Sequence, residues 1–289
     1  MKPLESQSKI PYVVGSKSPT AVAINSASKA GEWIKSRLGL VKELNTKVSA
    51  QDLVTDVDKG AEAMIRKLIL THFPDHEILG EEGVAPGAAA SVEALTQASR
   101  SDYLWIVDPI DGTTNFVHGF PYFCVSIALA YKGEVIIGVI YDPIRDELFV
   151  AEKGKGAYIH GKKSVVSEES SLEDSILAVG FNPDRDYALP VNMKGITALS
   201  GEVRSLRAAG SAALHLAYVA TGRLSGYYEV GLNVWDVAAG VLLVTESGGK
   251  VSDTVGNSYH LGVRNLVATN GKIHDELLES LKVADATGL

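Results

Sequence analysis

The chain has 289 residues, 46% hydrophobic and 21% charged, with a formal net charge of −8 from 35 acidic and 27 basic residues. That length suits one large domain or two small ones and buries a core without disulfides or a structural metal, and the single Cys124 excludes an internal disulfide and fits a reducing compartment. The acidic excess and the lack of a Lys/Arg block speak against direct nucleic-acid binding, and no apolar run approaches the roughly 20 residues that span a bilayer.

Residues 1–19, with Pro11, Pro19 and several Ser and Lys, read as a flexible leader; residues 1–8 do not read as a signal peptide, so the expected location is cytoplasmic. From Thr20, Ala23, Ala27, Ala30, Trp33, Ile34 and Leu38 recur on one face and predict a helix. Asp58 stands where an N-cap would precede a second stripe of Ala61, Met64, Ile65, Leu68 and Ile69. Residues 76–80 predict a short strand running into the acidic pair Glu81 and Glu82. A small-residue stretch follows, with a helix over 91–99. Residues 104–107 predict a short strand that stops at Asp108, because Pro109 halts the ladder. Strands over 122–131, 135–141 and 147–151 form a meander. The glycine-rich stretch 152–161 marks a hairpin and a domain boundary, giving units of 20–155 and 156–289. Beyond it, strands at 176–180 and 202–206 alternate with helices at 211–221, 235–246 and 272–282. The first half is thus helices packed on a largely antiparallel sheet, and the second alternates strand and helix.

The sharpest chemical feature is Asp108-Pro109-Ile110-Asp111-Gly112-Thr113-Thr114-Asn115. Two carboxylates three residues apart lie within one turn, with the Ile110 carbonyl between them, close enough to share a hard cation. An oxygen-only set of this kind suits magnesium rather than zinc. Gly112 lets the backbone approach a ligand, and a short helix opening at Thr113 would turn free amides toward an anion, so metal and phosphate sites would adjoin. Phosphatases with an aspartyl nucleophile also carry an Asp-Gly-Thr string, but with the acids two apart and near the first strand. The spacing here favours two metal ligands and metal-activated water. Glu81 and Glu82 end a strand as Asp108 does, and Asp236 sits in the first turn of an apolar helix, where a carboxylate also serves as a dipole partner. The segment 52–58 lacks the spacing and terminal Glu of a calcium loop. Cys124 reads as core, and the His residues show no metal-ligand spacing.

Together these segments resemble the inositol monophosphatase family of the lithium-sensitive, magnesium-dependent phosphatases. The resemblance covers about 20–281 and rests on 52–62, Gly80-Glu81-Glu82, 105–120, Gly210-Ser211-Ala212-Ala213 and 226–240, which contains Tyr227-Tyr228-Glu229 and Trp235-Asp236. It implies an α+β fold, a layered α/β/α/β/α sandwich with two sheets, and a homodimer. It implies that Glu81, Asp108 and the Ile110 carbonyl hold one magnesium ion and that Asp108, Asp111 and Asp236 hold a second. A third, weaker ion would sit near Glu81, and manganese could substitute. Thr113, supported by Asp58 and assisted by Glu81, would activate the attacking water. The amides of Gly112 and Thr113 would grip the phosphate, with Glu81, Asp111 and Asp236 beside it. Gly210, Ser211, Ala212 and Glu229 would face the alcohol. Lys47 matches a loop lysine of the family. Gly83 and Gly119 stand where animal relatives carry Ser and Arg.

The implied reaction is magnesium-dependent hydrolysis of a small polyol or sugar phosphate, with inositol 1-phosphate first among substrates. Fructose-1,6-bisphosphatase, histidinol phosphatase and bisphosphate nucleotidase share the same metal core. Glu229 favours the polyol, because a carboxylate suits neutral hydroxyls and repels a second phosphate. An accessory role in RNA machinery, with phosphatase activity retained, is the alternative of a different class.

Overall fold

The computed structural model describes residues 17–38, 50–182 and 184–288. Residues 1–16 of the expected leader and Lys47 lie outside the described residues. Helix α1 (Pro19–Lys35) starts where Ser18 Oγ accepts from the Ala21 amide at 3.2 Å, with Pro19 in the first turn, where its missing N–H costs nothing. Its stripe of Ala23, Ala27, Ala30 and Ile34 is buried, while Trp33 and Leu38 are half-buried.

Helix α2 (Ala50–His72) corrects the sequence reading: it begins eight residues before Asp58, so Asp58 lies inside the helix and caps nothing. The apolar stripe continues backward through Val57, and that continuation overrides the capping preference of an Asp. Strand β2 (Tyr103–Asp111) is the second correction, since it does not stop at Asp108. Pairing with β3 (Cys124–Tyr131) is interrupted between Asp108 and Asp111 and resumes with Asp111 opposite Cys124. Pro109 therefore opens an irregularity in the strand rather than ending it.

The first sheet runs β1 (Glu77–Gly80), β2, β3, β4 (Glu134–Asp142), β5 (Glu147–Glu152), β6 (Gly156–Ile159) and β7 (Lys162–Lys163) in chain order, with only β1 and β2 parallel. The second sheet has the order β11 (Lys250–Asp253), β12 (Asn265–Thr269), β10 (Gly226–Val230), β8 (Ile176–Val179) and β9 (Ser205–Arg207). Strand β8 pairs in parallel with β9 and β10. The remaining helices are α3 (Ala88–Ala98), α4 (Thr113–His118), α5 (Ala188–Leu199), α6 (Ala212–Ala220), α7 (Val234–Glu246) and α8 (His274–Val283).

Strand alternation sorts these elements into five layers. In β3, Val125, Ile127 and Leu129 face α1 and α2, while Cys124, Ala128 and Ala130 face α6 and α7. In the second sheet, Tyr227, Leu266 and Ala268 pack on that same middle helix layer, and Tyr228, Val230 and Val267 pack on α5 and α8. The order is helix, sheet, helix, sheet, helix, the α/β/α/β/α sandwich that the sequence implies. Both middle helices begin beside the same end of β2, so their first turns and Asp108–Asp111 share one pocket.

Candidate active site

A pocket of about 450 Å³ lies at that junction, lined by Glu81, Asp108, Ile110, Asp111, Gly112 and Thr113 from the first half. Gly210, Ser211, Ala212, Glu229 and Asp236 line it from the second. Eleven positions from five separated segments thus converge on one cavity, and of the expected site residues only Asp58 is not on its wall.

Gly112 has φ +99°, and a side chain there would also meet the Tyr122 carbonyl at 2.9 Å, so both conformation and space demand glycine. It is the N-cap of α4, whose first-turn amides have no carbonyl partner within the helix. Thr113 Oγ1 donates to the Ile110 carbonyl at 2.9 Å rather than to Asp58. Asp58 Oδ1 is buried with no hydrogen-bond partner. Burial, followed by repulsion from Glu82, Glu81 and Glu62, pushes its carboxyl up to about 8.

Asp111 is the most heavily bonded carboxylate. Its Oδ2 accepts from Ser211 Oγ and from the Ala213 amide, each at 2.6 Å, and its Oδ1 accepts from the Ala212 amide at 3.3 Å. It thereby caps α6 from the opposite half of the molecule, where the helix dipole favours negative charge. Burial nevertheless prevails over these bonds and raises its carboxyl to about 6. Asp236 Oδ2 accepts from the Asn233 amide at 2.7 Å in a capping box, which fulfils the dipole-partner reading of this residue.

Asp108 is 2% exposed, and its Oδ1 has no partner. Its carboxyl is held well above the usual range by burial and then by the charges of Glu81, Asp111 and Asp236. Burial, then Glu82, Asp111 and Glu62, raise Glu81 to about 7 against a lowering contribution from Asp108, and burial, then Glu81 and Asp111, raise Asp236. Glu229 lies on β10 within the sheet, accepts from Tyr227 Oη at 2.5 Å, and is pushed up to about 7 by burial. Its carboxylate packs directly over Gly180, where any side chain would overlap it.

As placed, no three acidic, His or Cys side chains among the described residues close around a single point, because Asp111 is turned onto α6 and Asp236 onto the Asn233 amide. The donor set still fits a hard divalent cation. Four mutually repelling, desolvated carboxylates and an orphaned Asp108 oxygen share one pocket, and a cation there would relieve both the repulsion and the unpartnered acceptor.

Three further residues escaped the sequence reading. Asn115 Nδ2 donates to the Tyr122 and Ala209 carbonyls at 2.7 and 2.6 Å, tying the central motif to the segment that opens α6. Asn182 and Arg264 both donate to the Gly231 carbonyl, at 2.8 and 3.2 Å, and both line the pocket. Asn115 stands inside the quoted motif and could have been found there; an Asn or Arg in isolation carries no comparable signal.

Comparison with known proteins gives one consistent family. The model of the inositol monophosphatase family matches residues 17–285. Inositol monophosphatase 2 of Solanum lycopersicum is 43% identical over 266 residues, covering 91% of this chain and 98% of its own. Nus factor SuhB of Pseudomonas aeruginosa is 42% identical over 269 residues, covering 90% of this chain and 94% of its own. The solved structure of an inositol monophosphatase from Anabaena (Nostoc) sp. matches with a TM-score of 0.79 at 39% identity, covering 91% of this chain and 95% of that one.

Proposed function

The chain belongs to the inositol monophosphatase family, a family of metal-dependent phosphatases, and from that premise we propose that it hydrolyses small polyol phosphates, inositol 1-phosphate first among them, with magnesium as its ion. The convergence of Glu81, Asp108, Asp111 and Asp236 on one pocket carries this reading.

In the proposed roles, Glu81, Asp108, Asp111, Asp236 and the Ile110 carbonyl hold two ions, with a third near Glu81. When bound, magnesium supplies Lewis-acid charge that polarises phosphoryl oxygens and acidifies water. The protein's own work is positioning. The first-turn amides at Gly112 and Thr113 hold phosphate oxygens in line with the helix dipole. Thr113 Oγ1, already oriented by the Ile110 carbonyl, would accept a hydrogen bond from the attacking water, and the Glu81 carboxylate would receive its proton. Asp58 supports them as a buried carboxyl electrostatically linked to Glu81, not by a direct bond to Thr113. Glu229 accepts from ring hydroxyls of the alcohol, and the amides of Ala212 and Ala213 are committed to Asp111 rather than to substrate.

The testing experiment is phosphate release from inositol 1-phosphate, fructose 1,6-bisphosphate, histidinol phosphate and adenosine bisphosphate, with magnesium or with chelator. Magnesium-dependent release with inositol 1-phosphate preferred supports the reading, and equal release in chelator defeats it. The relative named Nus factor SuhB supports a second reading, in which the chain also serves as an accessory protein to RNA machinery. A pull-down with wild type and Asp236→Asn separates the two, since a partner surface does not need that carboxylate. Among the described residues no helix is long and apolar enough to cross a membrane. We also propose a homodimer and a structural division at 155/156.

A further inference from the structure

The charges lining the pocket are one-sided. Glu81, Asp108, Asp111, Asp184, Glu229 and Asp236 are acidic, and among the described residues Arg264 is the one basic side chain on the wall. Four arginines elsewhere pair with carboxylates, among them Arg145 with Asp142 at 2.9 Å and Arg223 with Glu147 through both guanidinium nitrogens, while Arg37 and Arg207 bond to neutral oxygens away from the pocket. What sets Arg264 apart is that it lacks such a pair on the pocket wall itself. Among the described residues no carboxylate bonds to it, and its hydrogen bonds go to two carbonyls, Gly231 at 3.2 Å and Ala88 at 3.5 Å.

A guanidinium carries five N–H donors. Two neutral acceptors leave the rest unused on a half-buried cation, and desolvation of that cation is a cost that hydrogen bonds to a bound molecule would offset. The backbone at this position is also fixed. The Arg264 carbonyl accepts from the Gly231 and Leu232 amides at 3.0 and 2.8 Å. Next to it, Asn265 Oδ1 accepts from the Gly231 amide at 3.2 Å, and Asn265 Nδ2 donates to the Gly288 carbonyl at 2.9 Å near the chain end. The guanidinium is thus mounted on a turn with φ +92° at Gly231, close enough to be shared with Asn182. A donor held this way loses little freedom when it binds.

We propose that Arg264 is a specificity-determining residue that donates to the ring hydroxyl oxygens of the leaving alcohol. Glu229 and Arg264 then divide the recognition of one polyol. The carboxylate accepts from hydroxyls on its side, and the guanidinium donates to hydroxyl oxygens on the other, so each hydroxyl meets the partner its lone pairs or proton require. An alcohol without oxygens at that distance leaves the Arg264 donors unmatched, which is the strongest form of discrimination a polar site can make. The inference deepens the polyol-phosphate reading and rests on it.

The experiment compares wild type, Arg264→Gln and Arg264→Lys with magnesium on two esters, inositol 1-phosphate and 4-nitrophenyl phosphate. The readout is the ratio of kcat/KM for the first over the second. In Arg264→Gln the ratio falls about tenfold or more, carried by KM for inositol 1-phosphate, and Arg264→Lys recovers part of it by keeping the charge. A ratio that moves less than about twofold overturns the proposal, as does a parallel loss on both esters, because a residue that only steadies the Gly231 turn harms every substrate alike. If wild type cleaves neither ester, the phosphatase reading itself has failed. Calorimetric binding of inositol 1-phosphate then decides on Arg264 alone: about tenfold weaker binding by Arg264→Gln supports it, and equal or absent binding overturns it.

Discussion

Asp58→Asn should make the protein more stable in the absence of metal, and increasingly so as pH rises. The carboxyl is 4% exposed, lies inside a helix, has an unpartnered oxygen, and faces Glu62, Glu81 and Glu82. Folding raises its pKa from 3.8 to about 8. The folded state therefore binds more protons than the unfolded state between those values, and stability drains away as pH rises through that window. About four units at about 1.4 kcal/mol each set an upper bound of roughly 6 kcal/mol at pH 8. Solvent screening and relaxation of the site discount this bound, and half of it, about 3 kcal/mol, is about 5 °C in Tm for a chain of this length. Asparagine stays neutral, so its curve lacks this slope. The assay is thermal unfolding in chelator from pH 4 to pH 8, where the two proteins should nearly coincide at pH 4 and separate steadily above it. A gap that does not change with pH, or a less stable Asp58→Asn at pH 8, refutes the reasoning. With magnesium and substrate the same variant should lose turnover, since it removes the carboxyl linked to Glu81.

Asp111→Asn should abolish magnesium-dependent turnover, and it should also lower Tm by an amount equivalent to about 1–2 kcal/mol, because an amide donor then faces the Ala212 and Ala213 N–H groups that Asp111 caps; unfolding in chelator measures the second effect apart from the first. His215 is buried, with its ring pushed down to about 3 by desolvation, so the unfolded state binds the extra proton below pH 6.5 and stability falls as pH drops through 6.5 toward 3. Wild type should thus lose about 1.4 kcal/mol per pH unit relative to His215→Gln in that range, and parallel unfolding curves would contradict this.

The parts of the fold that the sequence discloses have either a one-sided pattern or a long apolar run closed by turn residues. The stripe of α1 and the alternation of β5 each bury one set of residues against an identifiable layer, β3 and β4 are long apolar runs buried on both faces and bounded by turn residues, and the central motif is dense in residues that serve turns and ligands. Strands β10 and β12 are not legible because both their faces are buried, so the short runs Gly226–Val230 and Asn265–Thr269 show no alternation. Helix α5 is obscured by Pro190 in its first turn and by Gly195, whose missing side chain makes room for Tyr228. Asp58 misled because a capping residue type sits one position after Val57, which belongs to the same buried stripe. At the site, Asp108 and Asp111 stood out by their spacing, while Glu81, Glu229 and Asp236 were named through the family resemblance. Arg264 and Asn182 were not, because their roles arise from the Gly231 carbonyl they share across the fold.

The central claim is that these carboxylates hold metal for an attacking water and do not attack phosphorus themselves. Hydrolysis of inositol 1-phosphate made chiral at phosphorus with oxygen isotopes and sulfur, with magnesium present, tests it most directly. The account predicts inversion at phosphorus, the mark of a single in-line transfer to water, and no release in chelator. Retention, which requires two transfers through an aspartyl phosphate on Asp108 or Asp111, would contradict it.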